Sequence, residues 1–342
     1  MEYPKKPHSH VVPAGYLRAW AHGKQIAMRR VGSPADVFVG VRDAGVRADF
    51  YRRERPATGE PIYDVEWSLE QAERAAIPII RDAAIRWPIP AEDKSKIGQF
   101  LALQHLRGPA FRAWHDGEVA KISAELRANP KKWGRPPEGM SHEEAVERYI
   151  EEKLLTATYR LMQMLKMVRS VGTVLHSMHW TLVTFKKGRL ATSDHPVVVW
   201  PLTRGRSRPV ANDLAAGLTT ALEVFAPLAP DVLLLMTWLQ DEDQAEPVAG
   251  EGRHLATANA FVVANADEQW FHELGVEPWM TQGIRKPLSA DLVAAYGPAE
   301  AERAPRRGDA EVFATQVAEA EISNDPLPMV RVSRTVRSSG DE

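Results

Sequence analysis

The stretch Leu190-Ala191-Thr192-Ser193-Asp194-His195-Pro196-Val197-Val198-Val199-Trp200 decides how the chain is read. Two short runs of β-formers flank a polar corner. Ser-Asp-x-Pro is good turn chemistry, because serine and aspartate side chains accept hydrogen bonds from nearby backbone N–H groups. The corner carries a hydroxyl, a carboxylate and an imidazole at the rim of a predicted sheet. Pro196 aims the next strand into that sheet, and the His195 side chain is expected to point to solvent. Asp194 is the first candidate for chemistry.

Around this corner the second half of the chain is predicted to be mostly strand. Trp180 to Phe185 alternates, and Lys186 to Arg189 turns it toward a strand at Leu190–Thr192. Leu218–Phe225 and Val232–Trp238 form a hairpin with Ala226–Asp231 at its tip. Leu255–Gln269 reads as a closing helix, and the pattern fades after Trp270-Phe271. The first half is predicted helical, apart from a strand pair at 25–31 and 37–41 joined by Gly32-Ser33-Pro34. Helices are expected near Tyr16–Trp20 and over Val65–Arg86, where Pro78 bends or splits the run. Another starts at Ala91 and is kinked or ended at Gly108-Pro109. A fourth covers His142–Val171, with Ser141 and Glu144 as a capping box. The fold class that follows is α+β: a helix-rich first half packed on a mainly antiparallel sheet from the second half. Residues 1–297 read as one domain, and residues 298–342, rich in Ala, Glu, Arg and Pro, as a poorly ordered tail.

Composition narrows the function classes. Net charge is −2, so no global field argues for nucleic acid or for a basic partner. There is no cysteine, which excludes disulfides, thiolate metal sites and cysteine nucleophiles and fits a reducing cytoplasm. The two N-terminal lysines precede no apolar run, so no signal peptide is expected. No apolar run is long enough to span a bilayer, and no membrane partner is expected.

Several polar residues stand in apolar company. Glu66, Glu70 and Glu73 share one side of their helix. That side is either a solvated acidic face or a pair of inward carboxylates, Glu66 and Glu73, suited to acid/base work or to a hard cation. Gln104 and Arg107 lie three apart in a strongly apolar helix and need partners there, because an unpaired buried polar group costs about 1–3 kcal/mol. A glutamate such as Glu66 or Glu73, or a substrate anion, would serve. His10 precedes a helix N-terminus, and Arg18 follows within that helix. Lys131-Lys132-Trp133-Gly134-Arg135 mixes charge with an aromatic, a combination found where single strands stack.

Taken in order, these segments resemble an uncharacterised bacterial family, domain of unknown function 4238. The resemblance rests on His10-Val11-Val12-Pro13 with Tyr16-Leu17-Arg18, the glutamates Glu66 and Glu73, Gln104 with Arg107, and Thr192-Ser193-Asp194-His195-Pro196. Phe225-Ala226-Pro227-Leu228 is similar to the family's Phe-Pro-Leu segment with Ala226 inserted, and Asn259 stands where the family often has asparagine. The likeness runs over about residues 8–275. It implies where a site lies and brings no established activity.

Three functional readings follow. In the first, Glu66, Glu73, Asp194 and His10 hold Mg²⁺ or Mn²⁺ and activate water. Arg18 and Arg107 grip a phosphate, while Gln104, Ser193 and Asn259 orient it. The protein is then a metal-dependent hydrolase of a phosphodiester or nucleotide, and its partner is a phosphorylated small molecule or nucleic acid. In the second, a glutamate works as acid or base on a nucleotide or glycosidic bond without metal. Ser193 as a hydrolase nucleophile is weaker, since it lacks the Gly-x-Ser-x-Gly elbow. In the third, the polar set is a structural network in a non-catalytic nucleotide- or nucleic-acid-binding protein.

Overall fold

Successive side chains of Val232-Leu233-Leu234-Leu235-Met236 point to opposite sides of one strand, and every residue of that strand is buried. A strand buried on both faces needs a layer on each side. The computed structural model describes residues 8–48, 53–54, 61–62, 64–201, 218, 221–238, 243–282 and 287–293. The predicted tail from 298, and the Glu66 side chain, lie outside what is described.

In chain order the structure opens with β1 (His8–His10), α1 (Ala14–Leu17), β2 (Gln25–Arg30), β3 (Asp36–Gly40), β4 (Val46–Ala48), β5 (Arg53–Glu54) and β6 (Pro61–Ile62). Helices follow: α2 (Asp64–Arg81), α3 (Ala91–Leu106), α4 (Pro109–Ala128), α5 (His142–Tyr149), a π-helical turn (Ile150–Leu154) and α6 (Ala157–Ser177). The second half holds β7 (His179–Thr184), β8 (Thr192–Ser193), β9 (Val198–Pro201), β10 (Ala221–Ala229), β11 (Val232–Thr237) and β12 (Val248–Ala249). It closes with α7 (Gly252–Asn265), β13 (Gln269–His272) and α8 (Ser289–Leu292). The class is α+β, as expected.

The larger sheet has the order β12-β7-β11-β10-β9 and is antiparallel apart from the β12–β7 edge. Leu182, Val224, Leu234 and Met236 face the core shared with Phe100, Leu101, Leu161 and Leu175 of α3 and α6. Val183, Phe225, Leu233 and Leu235 face a second core with Leu255, Ala258 and Val262 of α7 and with Leu288 and Leu292. The helices of the first half cover one face, and the closing helix covers the other. Helices α3 and α6 cross closely where two glycines meet: a Cβ on Gly98 would stand 3.1 Å from the Gly172 carbonyl oxygen. No helix of the described residues is long and apolar enough to cross a membrane.

Three expectations need correction. The strand after the turn at 186–189 does not pair with β7. Leu190 N–H donates to the Pro230 carbonyl, and the chain then leaves for a second sheet of order β3-β2-β13-β8. That sheet uses β13, which starts at Gln269, read above as the end of the closing helix; the helix itself ends at Asn265. The helix read over His142–Val171 is interrupted, because the π-helical turn widens the backbone to a Leu155 N–H to Ile150 carbonyl bond and Thr156 caps a fresh start at Tyr159. Helix α2 continues through Pro78 and stops at Arg81 rather than Arg86. The capping box of Ser141 and Glu144 is present in both directions.

Candidate functional site

Three of the family-like segments meet at one hydroxyl. Tyr16 O–H donates to the Pro227 carbonyl at 2.6 Å, so its oxygen accepts from Thr192 Oγ1 at 2.9 Å. Trp20 Nε1 donates to the Leu190 carbonyl at 2.7 Å. Burial pushes the Tyr16 phenol well above its ordinary range, so it stays a neutral donor. The N-terminal segment, the Thr192–Pro196 corner and β10 are thereby held together.

Asp194 is buried at the next position. Its Oδ1 accepts from Asp267 N–H at 2.9 Å, and its Oδ2 accepts from Glu268 N–H at 2.8 Å and Gln269 N–H at 3.2 Å. Arg47 Nη2 stands 3.4 Å from Oδ2. A carboxylate offers about four lone-pair directions, and four donors occupy them. Burial pushes the carboxyl above the usual range, while the amides of Glu268 and Asp267 and the Arg47 charge pull it back. Asp194 thus fastens the corner to the segment that leads into β13. The carboxylate expected as a metal ligand and catalytic group is used here by these four donors.

The corner continues inward. Ser193 Oγ, expected to bind substrate, accepts from His195 N–H at 3.2 Å, which closes the turn. His195 is buried, in contrast to the solvent-facing side chain expected from Pro196. Its Nε2 donates to the His105 carbonyl at 3.1 Å, so its Nδ1 accepts from Asn265 Nδ2, also at 3.1 Å. The same Asn265 amide donates to the His195 and Val197 carbonyls. Gly108 is required here by space, since a Cβ at that position would overlap the His195 ring. His105 stacks on His195 with ring centroids 6.0 Å apart. Burial, with the neighbouring His195, lowers the His105 imidazole to about 3, and burial also lowers His195.

The end of α3 supplies the remaining polar groups. Arg107 is almost fully buried. Its Nη2 pairs with Glu73 Oε1 of α2 at 3.0 Å, and its Nη1 donates to the Val11 carbonyl at 3.3 Å. Glu73 is therefore one of the partners sought for Arg107. Gln104, one turn earlier and 0% exposed, has no hydrogen-bond partner among the described residues at either Oε1 or Nε2. His105 Nδ1 is also unpartnered.

Other candidates fall elsewhere. His10 Nε2 donates to the Arg42 carbonyl at 2.9 Å. Arg18 is exposed on a 3₁₀ turn, away from the buried set. Asn259 braces the approach to β8: its Oδ1 accepts from Ala191 N–H, and its amide donates to the Arg189 and Trp279 carbonyls. Glu66 lies on α2, and its side chain is not described. Lys131, Lys132 and Arg135 are exposed between α4 and α5. Among the described residues no three His, Asp or Glu side chains are grouped to hold a metal ion.

Reading the sequence missed Arg47 and Asn265. Arg47 pairs across β1–β4 with Ser9 and reaches Asp194 only through the fold. Asn265 carried the same signal as Gln104, an amide on an apolar helix.

The model of the family described as Protein of unknown function (DUF4238) matches residues 8–273. The chain belongs to that family. The DUF4238 match opens on β1 and ends one residue beyond β13, so it takes in both sheets and every contact of the corner described above. No curated protein and no solved structure matches the chain.

Proposed function

We propose that this DUF4238 protein binds a nucleotide-like ligand without catalysis, and that Gln104 reads the ligand. Asp194, Ser193, Asn259 and Asn265 hold the fold, which leaves the buried, unpartnered Gln104 amide as the observation that carries the reading. A carboxamide places one acceptor beside one donor, the complement of the N6–H and N7 edge of adenine. Arg107, one turn away, supplies a cation for a phosphate that can compete with Glu73. A cytoplasmic location fits a chain without cysteine and gives access to nucleotides.

Isothermal titration with ATP, AMP and adenosine tests the reading on the intact chain. Saturable binding of at least one, abolished in Gln104→Leu, is the expected result. Absence of binding by all three sinks it. Turnover of any of them in Mg²⁺ or Mn²⁺ that is lost in Glu73→Gln supports the metal-dependent hydrolase instead.

A further inference from the structure

A second set of unpartnered buried polar groups lies away from the corner. Helix α4, the π-helical turn and the start of α6 line a half-open cavity of about 270 Å³. His115 and Ser123 of α4 line it, and each carries a buried atom, Nε2 and Oγ respectively, with no hydrogen-bond partner. One wall is apolar, from Val119, Ile150 and Leu154. Arg160, four residues beyond the Thr156 cap, also lines it, as does the Asp116 carboxylate, and Arg160 makes no ion pair among the described residues. The other lining arginine, Arg127, is already held by both carboxylate oxygens of Glu147, at 2.6 and 2.7 Å.

These features differ from those of a packing void. Empty cavities in protein interiors are apolar, and natural folds leave few buried polar atoms unpaired. Here two atoms without a partner among the described residues line one cavity with the Arg160 guanidinium and the Asp116 carboxylate, which form no ion pair with each other. The backbone beside it is a π-helical turn, a widened geometry that recurs at functional sites. Its Leu155 N–H reaches back to the Ile150 carbonyl at 3.0 Å, which opens the helix wall where Ile150 and Leu154 line the cavity.

We propose that this cavity binds a small hydroxylated carboxylate with an apolar body, such as an aromatic hydroxy acid. The size is near the lower end of small-molecule sites. Arg160 takes the carboxylate, and the apolar wall takes the ring. The hydroxyl follows from the histidine tautomer. His115 Nδ1 faces Asp116 Oδ1 at 3.4 Å, so the proton lies on Nδ1, and the unpartnered Nε2 accepts from the ligand. Burial holds His115 below the usual histidine range against the pull of Asp116, and the Arg160 charge acts in the same direction as burial, so Nε2 keeps its lone pair. Ser123 Oγ, donor and acceptor at once, bridges either group of the ligand.

The test is isothermal titration of the full chain with 3- and 4-hydroxybenzoate, with benzoate and 4-hydroxybenzamide as probes that lack the hydroxyl or the charge. At least one hydroxybenzoate is expected to bind saturably, one per chain. Each deficient probe is expected to bind about tenfold more weakly or worse, since a charge-assisted hydrogen bond contributes roughly that factor. Ser123→Ala and Arg160→Gln are each expected to weaken hydroxybenzoate binding by about tenfold. Ser123→Ala removes an unpartnered hydroxyl, so its melting temperature should equal or exceed that of the parent chain. Failure of both hydroxybenzoates to bind overturns the proposal. Equal affinity for 4-hydroxybenzamide, or parent-like affinity in both variants, overturns it as well.

Discussion

Asp194 is buried with four donors around its two oxygens, and its partners Asp267 to Gln269 lie more than 70 residues further along the chain. Asp194→Ala strands three backbone N–H groups and removes one of the carboxylates around Arg47, which keeps Asp267 and Glu268. The expected loss is about 3–5 kcal/mol in urea unfolding, and Asp194→Asn should recover part of it. The position of this residue was legible in the sequence, because Ser-Asp-x-Pro announces a polar corner. Its role was not, because nothing local in residues 190–200 distinguishes a free carboxylate from one capped by a distant strand. His195 shows the same limit: the turn fixed its backbone, and only the end of α3 and Asn265 fixed its ring. The two stacked histidines give a pH prediction. Burial lowers His105 to about 3 in the fold, against about 6.5 when unfolded. The folded state thus disfavours the proton, so its stabilising contribution is complete above pH 6.5 and is lost as pH falls from there toward 3. Unfolding free energy should drop by roughly 1 kcal/mol per pH unit through that window from this group. His105→Leu should flatten that slope; an unchanged slope in the variant assigns the acid sensitivity to other groups.

At the scale of elements, length and periodicity decided what could be read. Helices α2 and α3, the pairing of β10 with β11 and the Ser141–Glu144 capping box were legible because their determinants are local, whereas helix α4 was not read and β10 runs on through Ala226–Ala229, read above as the hairpin tip. Strands β8 and β13 were not. They span two and four residues; they pair with each other, and β13 pairs also with β2 from the start of the chain. The π-helical turn escaped because its apolar spacing continues that of α5 and α6, and only the Thr156 cap marks the restart. Helix α7 carries the two asparagines that hold the corner from behind. Asn265→Ala removes the amide donor of two buried carbonyls and of the His195 ring. A loss of about 2–4 kcal/mol is expected. Amide hydrogen exchange should accelerate first at residues 193–198 and not in α4, because these bonds do not reach that helix. Uniform acceleration throughout the chain would show that α7 supports the whole fold rather than the corner.

Across the whole molecule, several of the segments on which the DUF4238 resemblance rests are tied to one another. Tyr16 ties the N-terminal segment to Thr192 and to Pro227, and Arg107 ties α3 to Glu73 of α2 and to Val11. Their grouping in sequence order gave the location of the candidate site, and the buried glutamine and arginine gave the need for partners there. The division of labour among them required the fold: most of these groups satisfy one another, and Gln104 does not. A ligand-reading amide makes a paired stability measurement decisive. Gln104→Leu replaces an unsatisfied buried amide with an apolar side chain of similar size, so the ligand-free variant should be more stable than the parent chain by about 1–3 kcal/mol. Saturating ATP, at about 100 times its dissociation constant, should stabilise the parent by about 2.7 kcal/mol and leave the variant unmoved. A Gln104→Leu chain that is less stable than the parent without ligand, or that gains as much from ATP, would contradict the assignment of Gln104 to ligand binding.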